Sequence, residues 1–110
     1  MFTLEHNVGL IVPSTRHDVV LTEQEFRSEV ESALHFFAGK FGGATSIAGN
    51  GAWVYDNGKL GIESNVIIIS FASDLTDADI ADVLDYANEL KNRLSQEAVS
   101  VFINGKLILI

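Results

Sequence analysis

Glu63, with Trp53 and Tyr55 shortly before it, is the carboxylate best placed for chemistry in this sequence. A strand carboxylate among aromatic and aliphatic neighbours is partly shielded from water, a setting in which a side chain takes or gives a proton. The structural alternative is an edge or bend residue paired with a lysine or a backbone amide. Gln96 and Glu97 lie just beyond a second helix, where they either meet the sheet near Glu63 or bond the helix terminus. Trp53, Tyr55, Glu63, Gln96 and Glu97 are therefore grouped as a candidate ligand or interface site, with His6 and Glu63 as candidate proton carriers.

The remaining reactive side chains give less. His6 falls on the apolar face of a first strand, His35 lies opposite Phe26 on a first helix, and His17 has Asp18 beside it in a polar loop. An acidic neighbour orients an imidazole, but no pair of histidines has the spacing of metal ligands. The acids Asp74, Asp77, Asp79, Asp82 and Asp85 lack the glycine and closing glutamate of an EF-hand loop and read as a solvated helix face. The glycines from Gly39 to Gly51 stand between a helix and a strand, the reverse of a dinucleotide fingerprint. No serine sits in a nucleophile elbow. With no cysteine, thiolate metal sites, iron–sulfur clusters and disulfides are excluded. No metal and no cofactor are expected.

Composition narrows the partners. The 110 residues carry a net charge of −8, with only 7 Lys and Arg against 15 Asp and Glu. That balance disfavours direct contact with nucleic acid or an anionic membrane, both of which require basic residues. Hydrophobic residues nevertheless make up 47% of the chain, and the mean hydropathy is +0.24. A domain this small has a limited interior, so part of the apolar surface is expected between subunits. The N-terminus has no basic region, and its apolar stretch, Val8 to Val12, is too short for a leader or a membrane span. A cytoplasmic protein is expected.

The elements that must position these residues follow from pattern. Phe2 to Val12 alternates with a period of two and ends at Pro13, predicting a strand and then a polar loop over Ser14 to Asp18. Thr22 with Glu25 forms a capping box for a helix whose apolar stripe includes Phe26, Val30, Ala33, Phe37 and Phe41, closed by Gly42-Gly43. The segment 45–55 leans towards strand but bears glycines, which leave regular strand and mobile loop both open over 45–52. Asn57-Gly58 predicts a two-residue hairpin turn. Tyr55 then faces Leu60 and Trp53 faces Ile62 on one side, with Glu63 opposite Ala52 on the other. Val66 to Phe71 reads as a central strand, apolar on both faces. Thr76 with Asp79 caps a second helix, and Asn104-Gly105 joins a terminal hairpin.

The order is β-α-β-β-α-β with an extra C-terminal strand. The fold class is therefore α+β and ferredoxin-like, an antiparallel sheet backed by two helices in one domain spanning 1–110. Two helices cover one face of such a sheet. The apolar strands on the other face imply a homo-oligomer, a dimer in the first instance, with Ile68, Val101, Phe102, Leu107 and Ile108 as interface residues.

Short motifs add a family likeness. The stretch Phe41-Gly42-Gly43-Ala44-Thr45, then Gly51-x-Trp53, Gly58-Lys59-Leu60 and Glu63, with Gln96-Glu97-Ala98-Val99 later, resembles a family of small bacterial, plasmid and phage proteins of ferredoxin-like type. The resemblance implies that fold and a mobile-element setting, and carries no established activity. It marks Trp53, Glu63, Gln96 and Glu97 as a possible shared site. Three functions are compatible with this reading: a non-enzymatic binding or regulatory homo-oligomer, an acidic inhibitor of a host protein partner, and a small dimeric enzyme using Glu63 or His6.

Overall fold

A computed structural model covers all 110 residues. A five-stranded antiparallel sheet is built from β1 (His6–Pro13), β4 (Thr45–Val54), β5 (Leu60–Ala72), β6 (Ser100–Ile103) and β7 (Lys106–Leu109). The strand order is β4-β5-β1-β6-β7, which is the ferredoxin-like arrangement with β7 added at one edge. Helices α1 (Glu23–Phe41) and α2 (Asp77–Arg93) back one face. Between β1 and α1, β2 (Thr15–Arg16) and β3 (Val19–Val20) form a small separate hairpin. No helix is long and apolar enough to cross a membrane.

Both helices start as the sequence predicts. The hydroxyls of Thr22 and Thr76 accept from the amides of Glu25 and Asp79, whose carboxylates accept in return from the threonine amides. Gly42 takes the left-handed conformation at the end of α1, with φ at 88°. The end of α2 is built without glycine. Ser95 adopts φ of 50°, the Ser95 amide donates to Asn92 O, and the Gln96 amide reaches back to Lys91 O at 3.0 Å. These two bonds form a Schellman closure, in which the residue after the left-handed one turns back along the helix.

The core lies between the helices and the face of the sheet that carries Val8, Leu10, Val12, Ile68 and Val101, packed on Phe37, Val83, Ala87, Leu90 and Leu94. Three ion pairs join the helices on the outside. Lys40 meets Asp82 at 2.6 Å and Asp79 at 3.4 Å, while Arg93 grips Glu29 through both carboxylate oxygens. The other sheet face is open. It carries Ile11, Ile67, Ile69, Phe71, Phe102 and Leu107, with Phe71 and Leu107 at least half exposed.

Segment 45–52, where strand and loop both stood open, lies in a regular ten-residue strand, Thr45–Val54. Other expectations need correction. The first strand begins at His6, and the stretch read as a polar loop forms β2 and the turn of the β2–β3 hairpin. Ile68 and Val101, expected at an interface between subunits, are fully buried in the chain's own core because their register places them beneath the helices. Phe102 and Leu107 do lie on the open face, whereas Ile108, paired with Val101, points to the helix side and is 37% exposed.

Candidate functional site

The turn between β4 and β5 decides which side chains meet. The Tyr55 amide donates to Lys59 O, and the Gly58 amide to Tyr55 O, with Gly58 at φ of 83°. This is a three-residue loop closed by a glycine bulge, one residue longer than the two-residue turn expected from Asn-Gly. The register moves accordingly: Val54 pairs with Leu60, Trp53 with Gly61, Ala52 with Ile62 and Gly51 with Glu63. Side chains alternate in a strand, so a shift of one exchanges the faces. Trp53 and Glu63, expected on opposite faces, share one.

The indole fits there because Gly61 has no side chain. A Cβ at Gly61 would lie 2.5 Å from Trp53 Cε2, so the ring rests directly over the glycine backbone. Tyr55 meets this indole edge to face, with ring centroids 5.8 Å apart. Further along β5, Asn65 spreads over Gly49 and Gly51, and its buried Oδ1 has no hydrogen-bond partner.

β1 leaves β5 at the pair Pro13–Asn65, so from Ser64 to Leu60 the flank of β5 has no strand beside it. The β2–β3 hairpin and the start of α1 stand across that gap. Between them is an open cleft of about 780 Å³, lined by Trp53, Tyr55, Phe26, Val20 and Leu21 on its apolar side. Its polar lining includes Glu63, Thr15, Asp18 and Glu23, and no lysine or arginine. Glu23 is paired with Arg27, and Asp18 lies 3.3 Å from His17 Nε2; neither basic side chain lines the cleft. Glu63 has no cationic partner. Its Oε1 accepts from Thr15 Oγ1 at 3.2 Å.

Gln96 reaches the same place from α2. Its Nε2 donates to Thr15 O at 2.8 Å, to Leu94 O at 3.1 Å and to Thr15 Oγ1 at 3.3 Å. Leu94 O also accepts from the His17 amide, which ties the small hairpin to the end of α2. The structure therefore brings Trp53, Tyr55 and Glu63 into one cleft and joins Gln96 to it through Thr15.

No family model matches the chain, and no curated protein matches it in sequence. Solved structures do. A phage SAM lyase in complex with S-methyl-5'-thioadenosine superposes with a TM-score of 0.65 at 21% identity, covering 100% of this chain and 92% of that one. A phage SAM lyase in its apo state gives 0.63, also at 21% identity, covering 100% and 94%. The chain has the fold of these phage proteins over its whole length.

Glu97 and His6 do not join the cleft. Glu97 is exposed and outside its lining. His6 pairs with Ala72 at the far end of β5 and bonds Asn104 through Nδ1 at 3.1 Å. Nine residues of strand at about 3.3 Å each separate that point from Glu63, or about 30 Å. Thr15, Asp18, Val20, Leu21, Glu23 and Phe26 are among the cleft residues that the sequence did not single out as site residues. The signal available for them was the Val19-Val20 pair after a polar turn, which marks a short hairpin.

Proposed function

We propose that this chain binds a cationic sulfur-bearing nucleoside in the Trp53–Tyr55–Glu63 cleft and acts on S-adenosylmethionine as a small lyase. The observation that carries this reading is the cleft's composition: aromatic rings beside a carboxylate, with no basic side chain in the lining. Aromatic faces attract cations, and an unpaired carboxylate adds to that attraction. A sulfonium with an attached ammonium and an adenine ring suits all three features, because the base also stacks on an indole. The shared fold with a phage SAM lyase supports the same reading.

The chemistry needs no added oxidant or reductant. When the bond from sulfur to the aminobutyryl carbon breaks, sulfur keeps the electron pair and becomes the neutral thioether of S-methyl-5'-thioadenosine. The four-carbon fragment is completed by closure of its own carboxylate on that carbon, or by loss of a neighbouring proton to a base such as Glu63. A site that favours a cation holds the substrate more tightly than the neutral product, which assists release.

Isothermal titration with S-adenosylmethionine and S-methyl-5'-thioadenosine, alongside chromatography of the products, tests the reading. Glu63→Gln is expected to weaken S-adenosylmethionine at least tenfold, equivalent to about 1.4 kcal/mol, and to leave the neutral thioether within about twofold. Equal losses for both ligands, or no binding of either to the wild type, would refute it. Binding without turnover would favour the non-enzymatic module instead.

The open sheet face supports a homo-oligomer, and the fold shared with phage proteins supports a mobile-element setting; a cytoplasmic location is part of the same proposal. Phe71, Phe102 and Leu107 form an apolar surface on that face. Sedimentation of Leu107→Glu beside the wild type checks the assembly. The acidic-inhibitor reading is less favoured, because Asp79 and Asp82 on α2 are already engaged by Lys40.

A further inference from the structure

We infer that Gln96 and Thr15 form a positioning relay that fixes the proton of the Thr15 hydroxyl on Glu63 and so holds that carboxylate in one orientation. The direction of every bond in the relay follows from donor and acceptor chemistry. The amide end of Gln96 lies against two backbone carbonyls, Thr15 O at 2.8 Å and Leu94 O at 3.1 Å. Carbonyls only accept, so the NH2 group must face them; the reversed amide would set three oxygens against one another. With two hydrogens for three acceptors, the Nε2 hydrogen facing Thr15 is shared between its carbonyl and Oγ1 at 3.3 Å, and Nε2 can only donate there. Its approach occupies a lone pair of that hydroxyl, whose single proton is left for Glu63 Oε1 at 3.2 Å. Glu63 Oε2 makes no hydrogen bond within the protein and is left for a ligand.

Each member is held in place by backbone structure. Gln96 follows Ser95, whose left-handed conformation turns the chain back at the end of α2. Thr15 is in β2, paired with Val20. The relay therefore couples the end of a helix to a carboxylate on the sheet through two side chains. Thr15 and Gln96 are positioning residues, acting through Glu63. The kinetic consequence rests on the lyase reading, whereas the orientation of Glu63 does not.

The test uses the full chain with Thr15→Val, which keeps the shape and removes the hydroxyl, Thr15→Ser, which keeps the hydroxyl, and Gln96→Leu. In the ligand-free protein, side-chain coupling constants of Glu63 measured by NMR are expected to report one rotamer in the wild type and in Thr15→Ser. Averaged rotamers are expected in Thr15→Val and Gln96→Leu. With S-adenosylmethionine, Thr15→Val is expected to lower kcat/KM roughly tenfold, because the carboxylate that attracts the cation is misplaced, and Thr15→Ser to recover most of it. Gln96→Leu also strips bonds from two carbonyls, so Thr15→Val is the deciding variant. A single Glu63 rotamer in Thr15→Val, or equal losses in the serine and valine variants, would overturn the relay. If the wild type has no turnover, the lyase reading fails, and the rotamer measurement still decides the relay.

Discussion

One methyl group added at Gly61 is expected to dislodge the aromatic wall of the cleft while leaving the fold intact. The added carbon would stand 2.5 Å from Trp53 Cε2 and 2.7 Å from both Cζ2 and Nε1. Carbon atoms in contact settle at about 3.5–4.0 Å, so the indole has to retreat by about 1 Å or more. It has somewhere to go, because Trp53 is 42% exposed. The cost in stability is accordingly small, below about 1 kcal/mol, as for most changes near the surface. The cost in binding is larger. Stacking of a base on an aromatic ring contributes about 1–3 kcal/mol, and losing about half of that, about 1 kcal/mol, raises Kd roughly fivefold. Trp53 is the only tryptophan in the chain, so its fluorescence reports both effects. Gly61→Ala is expected to shift the emission of the free protein to longer wavelength and to weaken S-methyl-5'-thioadenosine about fivefold at an almost unchanged urea midpoint. Unaltered emission together with unaltered affinity would refute the packing argument.

Acid stability gives a second check. The Thr22 amide, the Arg16 guanidinium and the Thr22 hydroxyl hold Glu25 below its ordinary 4.5, and the Thr76 amide and hydroxyl hold Asp79 below 3.8. Groups with lowered folded values stabilise above their unfolded values, and that contribution is lost as pH falls through the folded ones. Urea midpoints are therefore expected to decline from about pH 4.5 downward, with Glu25→Gln flattening the upper part of that decline. In Gly9→Ala the new Cβ would collide with the Ile68 carbonyl oxygen, a backbone atom in the middle of the sheet; a loss of about 1–3 kcal/mol, typical of overpacking, is expected by chemical denaturation. Ser95→Gly relieves a left-handed conformation at φ of 50° and is expected to stabilise by about 1 kcal/mol, with Gln96 still on Thr15 by NMR.

The elements were legible wherever a local signal was strong. Both capping boxes, Gly42 and the Asn104-Gly105 turn fall where the sequence predicts, because each is settled by a few adjacent residues. What failed to show was pairing across strands. Asn57-Gly58 serves equally well in a two-residue turn and at the end of a three-residue one, and the Asn57 side chain accepts from the Lys59 amide in the longer form. That single difference changed the partners of Trp53 and Glu63. Similarly, Ile68 and Val101 sit in strands apolar on both sides, and composition cannot say which side receives the helices. Gln96 was legible as a residue near the site, but Thr15, its link to Glu63, depended on a two-residue hairpin too short to leave a periodic trace.

The bulge at Gly58 makes the arm sensitive to length in an uneven way. One residue gained or lost between Trp53 and Gly61 would turn the indole to the opposite side from Glu63 and empty the aromatic wall, whereas two would restore it at the expense of a longer tip. Loop length there acts as a parity setting. Relatives should accordingly be compared by whether an aromatic and an acid share a side of this hairpin, and a column-by-column match around the Asn-Gly pair would pair the wrong residues.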